Sequence, residues 1–307
     1  MELDDYQNQS SLTDQFPDID DDGASLTIPI LGLIGELGSL VTCFKKRIRD
    51  GESYEHFIKD LREEIGDVLW YLTNLASKWE LSLNEIAREN LDKNKDRWLR
   101  NTVTEGEYTL YDEGCSEEEK IPRKFNVYFT IKEEANVADI FMIGENGQRE
   151  KLGDTLSDNS YKNDLYRFHD IFHLAYAAIL GWSPVLRQLL NIKRKSNAQI
   201  DEIEDGARAR ITEEAISLYV FNYANRHNML ASLKEIDLDV LLTIKNLVSD
   251  LEVKDKTMYE WKLAILSGYE IYRQLYQNRG GVVEIDLLER KIFYRGTTEN
   301  YVSSTRF

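Results

Sequence analysis

Three carboxylates stand in apolar company early in the chain. Glu36 lies within "LGLIGELGSL" (31–40), and Glu64 and Asp67 lie within "REEIGDVLWYL" (62–72). Residues three apart on a helix share a face, so Glu64 and Asp67 form a pair. Their neighbours Ile65, Val68, Leu69 and Leu72 place that pair near a buried face. Glu36 has a similar setting on the preceding segment. Carboxylates withdrawn from water without a counter-charge are costly, and a divalent cation removes the cost. An all-oxygen donor set suits Mg²⁺, which keeps several waters and shares its shell with a phosphate substrate. Glu63 points about 100° away from the pair and reads as an outer-shell base or a surface residue. The glycines Gly35, Gly38 and Gly66 are expected to admit a ligand or another backbone where a side chain would block it.

These residues need helices to bring them together. A short helix is expected within residues 1–14, followed by an acidic, turn-rich linker at 17–25. Apolar residues then recur at helical spacing from about 25 to 49. "KKRIR" (45–49) closes that run with positive charge at a helix C-terminus, and "DG" (50–51) stops it. A second amphipathic helix is predicted from Ser53 to Trp79. A third begins at Ser82, with Ser82 and Glu85 as a capping box, and ends near Arg100. The connection between the first two long helices is short, which makes them antiparallel neighbours whose carboxylates converge. On the last helix Asn90, Lys93 and Arg97 follow i, i+3, i+7 spacing and share a face.

The texture changes after Asn101, where a charged, turn-rich stretch marks a boundary. Residues 125–134 and 137–147 read as two strands, helical pattern returns from Leu165 to Gln277, and 280–296 reads as another hairpin. The expected fold is therefore mainly α. A four-helix N-terminal domain (1–105) precedes a mostly helical α+β domain (106–307) with a small antiparallel sheet.

Composition narrows the function classes. The 307 residues carry a net charge of −17 and are 42% hydrophobic. A chain this acidic lacks the basic face that nucleic-acid polymers require. No apolar run is read as long enough to span a bilayer, and the acidic start "MELDDYQNQS" is unlike a signal peptide. Cys43 and Cys115 are the only cysteines, too few for a disulfide framework. A reduced, cytoplasmic protein with no membrane partner is expected.

The segments "GLIGELGSLVTCFKKRI", "LREEIGDVLWYL", "LSLNEIAREN" and "NLDKNKDRW" together resemble the MazG-like all-α nucleoside triphosphate pyrophosphohydrolases, over roughly residues 1–100. The resemblance implies an E-x-x-E, E-x-x-D metal site. Glu36, Glu64 and Asp67 match it, whereas Ser39 stands where the family usually has a second glutamate. Serine is at most a weak ligand and brings no charge, which bears on metal affinity and activity. The resemblance also implies that Lys45, Lys46, Asn90, Lys93 and Arg97 lie near the nucleotide. It further implies Mg²⁺ (or Mn²⁺) as cofactor, monophosphate and pyrophosphate as products, and a homodimer or homotetramer. A protein that keeps the pocket but has lost turnover is the competing expectation.

The second domain carries its own candidates. "FHDIFH" (168–173) puts His169 and His173 one turn apart on one helical face, with Asp170 between them. Such a pair binds a transition metal when further ligands arrive, and Glu213, Glu214 and His227 are candidates. The alternative is that these histidines cap the core and bond to those carboxylates. The adjacent His169 and Asp170 are shared with HD-type phosphohydrolases, whose remaining pattern is absent. "NIKRKS" (191–196) and "DGARAR" (205–210) are either an anion patch or ordinary helix ends. The stretch from 166 to 217 resembles the helical extension fused to some MazG-like proteins, a domain of uncertain role.

Overall fold

The computed structural model describes residues 1–15, 24–99, 110–132, 134, 136–143 and 149–297. The expected boundary at 105/106 and most of the expected 17–25 linker lie outside them. Contacts divide the chain into two compact units, Met1–Lys95 and Asp96–Phe307.

The first unit is helical: α1 (Leu3–Ser10), α2 (Ala24–Asp50), α3 (Phe57–Lys78) and α4 (Leu83–Trp98), the last turn of α4 belonging to the second unit. The α2 and α3 helices pack along their length, and α1 rests on α3. Side chains of α1 cap the start of α4. Asp4 accepts from the Ser82 hydroxyl at 3.0 Å and from the Asn84 amide at 3.3 Å. Gln7 accepts from the Leu83 amide at 2.9 Å. Ser82 itself accepts from the Glu85 amide at 3.2 Å, as its spacing predicts. The close approach between the long helices falls at Gly32, where a Cβ would lie 2.3 Å from the Tyr71 ring. At Gly35, Gly38 and Gly66 a Cβ would meet nothing within 4 Å, so the expected close packing is not there within the chain.

This unit has almost no apolar core of its own. Among its described apolar side chains only Pro29, Cys43 and Ala76 are buried. Its apolar residues point outward instead. The expectation that no run is long enough for a bilayer needs correcting. Leu26–Ser53 is long enough and holds an 18-residue window of mean hydropathy 1.7, because Glu36 is the lone charge in its first half.

The second unit is built on one sheet. Its strands are β1 (Lys124–Lys132), β2 (Val137–Ile143), β3 (Arg149–Lys151), β4 (Gly280–Asp286) and β5 (Lys291–Gly296). They are antiparallel throughout, in the order β3-β2-β1-β4-β5. Val127 pairs with Met142 on one side and Val283 on the other. Alternate residues Phe125, Val127 and Phe129 of β1 turn into the core. The helices are α5 (Asp170–Leu180), α6 (Pro184–Leu190), α7 (Ala198–Ile203), α8 (Ala207–Asn225), α9 (Leu238–Leu247) and α10 (Met258–Asn278). The α5 and α10 helices pack together and against β4 and β5. Every residue of α5 is buried, which makes it the axis of the domain.

A buried ionic network ties the entry segment to the helices. Asp112 pairs with Arg187 at 2.7 Å and Arg123 at 2.8 Å, and Arg194 pairs with Asp205 and Glu252 at 2.7 Å each. Arg194 is 1% exposed, so it is not free to form the anion patch considered for "NIKRKS".

Candidate active site

Helix pairing brings the three carboxylates together. One ligand oxygen each from Glu36 on α2 and Glu64 and Asp67 on α3 lie within 4.8 Å of one another. Glu36 and Glu64 are half-buried and Asp67 is exposed. Among the described residues no hydrogen bond or ion pair neutralises any of them. Burial raises the Glu64 pKa above the ordinary carboxylate range, and the charges of Glu36, Asp67, Glu63 and Asp60 push the same way. Only hard oxygen donors are present and they repel one another, a combination that fits Mg²⁺ or Mn²⁺.

The other expected residues surround this trio less closely. Ser39 is half-buried, one turn beyond Glu36 on α2. Glu63 is exposed. Lys45 and Lys46 are exposed, and the Lys46 ammonium lies 5.7 Å from the centre of the Tyr54 ring. Asn90 and Lys93 are exposed on α4, where Asn90 accepts from the Asn94 amide at 2.8 Å. No hydrogen bond or ion pair joins Lys45, Lys46, Asn90 or Lys93 to the trio. Arg97 belongs to the second unit and stacks over Trp98 at 4.6 Å.

A second polar cluster opens α5. Ligand atoms of His169, Asp170 and His173 lie within 4.8 Å of one another. His169 Nδ1 faces the Tyr166 carbonyl at 2.9 Å, and its ring stacks on Tyr166 at 4.4 Å. His173 Nδ1 bonds Glu213 Oε1 at 2.8 Å. Glu213 is fully buried and also accepts from the Ser183 hydroxyl (2.7 Å) and the Val185 amide (2.8 Å). Glu213 is thus not a free ligand, as was considered, but the group that orients His173. Burial lowers the His173 pKa, but the charge and hydrogen bond of Glu213, with Glu214, outweigh it and hold the pKa well above the ordinary value. Burial lowers the His169 pKa, and the nearby Asp170 charge only partly offsets that. The structure does not bring His227 into this group, because its Nδ1 is taken by the Tyr223 carbonyl at 2.8 Å.

Three supporting residues carried no sequence signal. Buried Arg167 grips Asp158 through two nitrogens, at 2.8 and 2.6 Å, and so fixes the turn that delivers His169. Ser183 caps α6 while binding Glu213. Such partnerships join distant parts of the chain and leave no local periodicity.

Comparison with known proteins identifies the family of the chain. The model of the MazG nucleotide pyrophosphohydrolase domain matches residues 29–99, and that of the MazG C-terminal domain matches residues 106–298. The chain belongs to the MazG family, whose membership suggests nucleotide pyrophosphohydrolase activity and metal dependence. Gene 37 protein of Mycobacterium phage L5 is 33% identical over 107 residues, which are 34% of this chain and 94% of that protein. No solved structure matches.

Proposed function

We propose that the first unit is an Mg²⁺-dependent pyrophosphohydrolase that cleaves a nucleoside triphosphate, or a related nucleotide, to monophosphate and pyrophosphate. The observation that carries this reading is the convergence of Glu36, Glu64 and Asp67 across two helices, with no counter-charge paired to them among the described residues. When bound, the metal supplies neutralisation of phosphate charge and a lowered pKa for water. The chain's own residues do the rest. Glu36, Glu64 and Asp67 would hold the cation, with Ser39 as a weak additional donor. Glu63, beside the ligand pair, is positioned as an outer proton acceptor. Lys45, Lys46, Asn90, Lys93 and Arg97 are the cations and donors assigned to the nucleotide, by charge-assisted hydrogen bonds. Mn²⁺ satisfies the same donors.

The protein is also proposed to work as a homodimer or homotetramer in the cytoplasm, with no nucleic-acid or membrane partner. Uncovered apolar faces on α2 and α3 support the assembly.

The test is a product assay with NTPs and dNTPs, with Mg²⁺ or Mn²⁺, beside Glu64→Gln. Monophosphate and pyrophosphate from the parent, reduced at least about 100-fold in the variant, are the expected result. Product that survives Glu64→Gln would move the chemistry away from the trio. Nucleotide binding without turnover would favour the second reading, a regulatory nucleotide-binding protein, for which Ser39 in place of a glutamate is the specific support.

A further inference from the structure

The His169 cluster is separate from the acidic trio in sequence and in donor chemistry. We propose that His169, Asp170, His173 and Glu214 form a binding site for a divalent transition-metal ion in the second unit.

The proton inventory of the two imidazoles leads there. A backbone carbonyl can only accept, so the His169 nitrogen facing Tyr166 O at 2.9 Å is N–H. The same holds for the His173 Nδ1 that meets the Glu213 carboxylate at 2.8 Å. When each ring carries only that proton, its Nε2 presents a lone pair to the cluster. A carbonyl and a carboxylate on the far nitrogen are the two commonest outer partners of metal-bound histidines.

Each lone pair faces an anionic oxygen. His169 Nε2 lies 3.3 Å from Asp170 Oδ1, and His173 Nε2 lies 3.5 Å from Glu214 Oε1. His173 is 1% exposed and its Nε2 makes no hydrogen bond. A lone pair against a carboxylate is repulsive unless a positive charge lies between them. That charge is either an added proton on each ring or one metal ion shared by all four groups.

The spacings suit the ion. Around a tetrahedral centre with ligands about 2.1 Å away, neighbouring donors sit about 3.4 Å apart. The separations of 3.3 and 3.5 Å lie near that value, and the three α5 donors lie within 4.8 Å of one another, a group that Glu214 would join by a turn of its half-exposed side chain. Two imidazoles with two carboxylates select zinc, iron, cobalt or manganese over magnesium or calcium.

The supporting shell and the entry route are also present. Glu213 and Arg167 are fully buried and hydrogen-bonded, so both histidines are held before any ion arrives. Glu214 and Tyr166 line a cavity of about 680 Å³ that Gln188 and Arg210 also border. The Glu214 side chain is 46% exposed, which leaves a route from solvent to the cluster.

The test uses the full chain with the acidic trio disabled by Glu64→Gln and Asp67→Asn, stripped with a chelator and titrated with Co²⁺. Failure of the pyrophosphohydrolase reading leaves this experiment unaffected. Expected are one equivalent of bound cobalt per chain and a visible absorption band from histidine-containing coordination. His173→Ala removes a core side chain and risks the fold. Glu214→Gln, at the rim, and His169→Gln, which keeps a side chain of similar size, are therefore the diagnostic variants. Each is expected to weaken cobalt binding by at least the ten- to hundred-fold that even outer-shell partners cost, with the thermal transition retained. Less than stoichiometric cobalt in the parent would show an imidazolium–carboxylate cluster and overturn the proposal. Affinity and spectrum unchanged in both diagnostic variants would overturn it as well.

Discussion

Ser39 is the residue on which the proposed cation affinity of the acidic site is expected to turn. Ser39 follows Glu36 by one turn of α2 and shares its face, yet adds no charge. A carboxylate about 4 Å from a divalent ion contributes well over the ~1.4 kcal/mol that separates tenfold steps in affinity, even after solvent screening. The Mg²⁺ concentration for half-maximal turnover is therefore expected to fall about tenfold in Ser39→Glu. A metal titration of initial rates, or of Mn²⁺ binding if the parent has no turnover, measures this. An unchanged requirement would mean that the Ser39 side chain does not face the cation. The trio itself was legible in the sequence because two members share a helix and the third lies on the neighbour that a short connection makes antiparallel. The bond of His173 to Glu213 was among the sequence's alternatives, but the anchoring of Glu213 was not legible. It depends on Ser183 and Val185, 30 and 28 positions away, which no local spacing reveals.

At the scale of the element, α2 is more than a carrier of Glu36. Ile30, Ile34, Leu37, Val41, Phe44 and Ile48 recur at alternating spacings of four and three, and all are 44–85% exposed. On α3, Ile58, Ile65, Leu69 and Leu72 make a second stripe, 36–61% exposed. A unit that buries so few of its own apolar side chains is expected to bury them against another copy. Light scattering coupled to size exclusion is expected to give the mass of a dimer or tetramer, and Ile34→Glu with Val41→Glu is expected to reduce it to the monomer. A monomeric parent at micromolar concentration would refute the assembly. Periodicity located the long helices to within a few residues, since it is a local property. It placed the start of α5 too early, at Leu165, because Leu165 is left-handed (φ 65°) and a 3₁₀ turn intervenes. It missed β3, whose three residues are too few to show alternation.

For the whole molecule, the largest feature hidden from sequence reasoning is the ionic network of the second unit. Asp112, Arg187, Asp205 and Arg194 are each at most 2% exposed, and they connect residues up to 75 positions apart. Removing one partner from such a network leaves a charge buried and unpaired, and Asp112→Asn is expected to cost about 3–5 kcal/mol at neutral pH. The pH dependence follows from the sign of the shift. Burial raises the Asp112 pKa, but the Ile121 amide and the charges of Arg187 and Arg123 more than reverse it, leaving the folded value depressed. The unfolded chain therefore binds this proton first as pH falls. The stabilisation is complete above the unfolded value, about 3.9, and is lost as pH drops through the lower folded value. Asp158, held by Arg167, is depressed in the same way despite its burial and adds to the effect. Urea unfolding of the full chain, followed by near-ultraviolet circular dichroism, should show the gap between parent and Asp112→Asn constant from pH 7 to about 5 and shrinking below about 4. A gap that stays the same down to the acid transition would mean that Asp112 acts through shape and hydrogen bonding alone, with its charge contributing nothing.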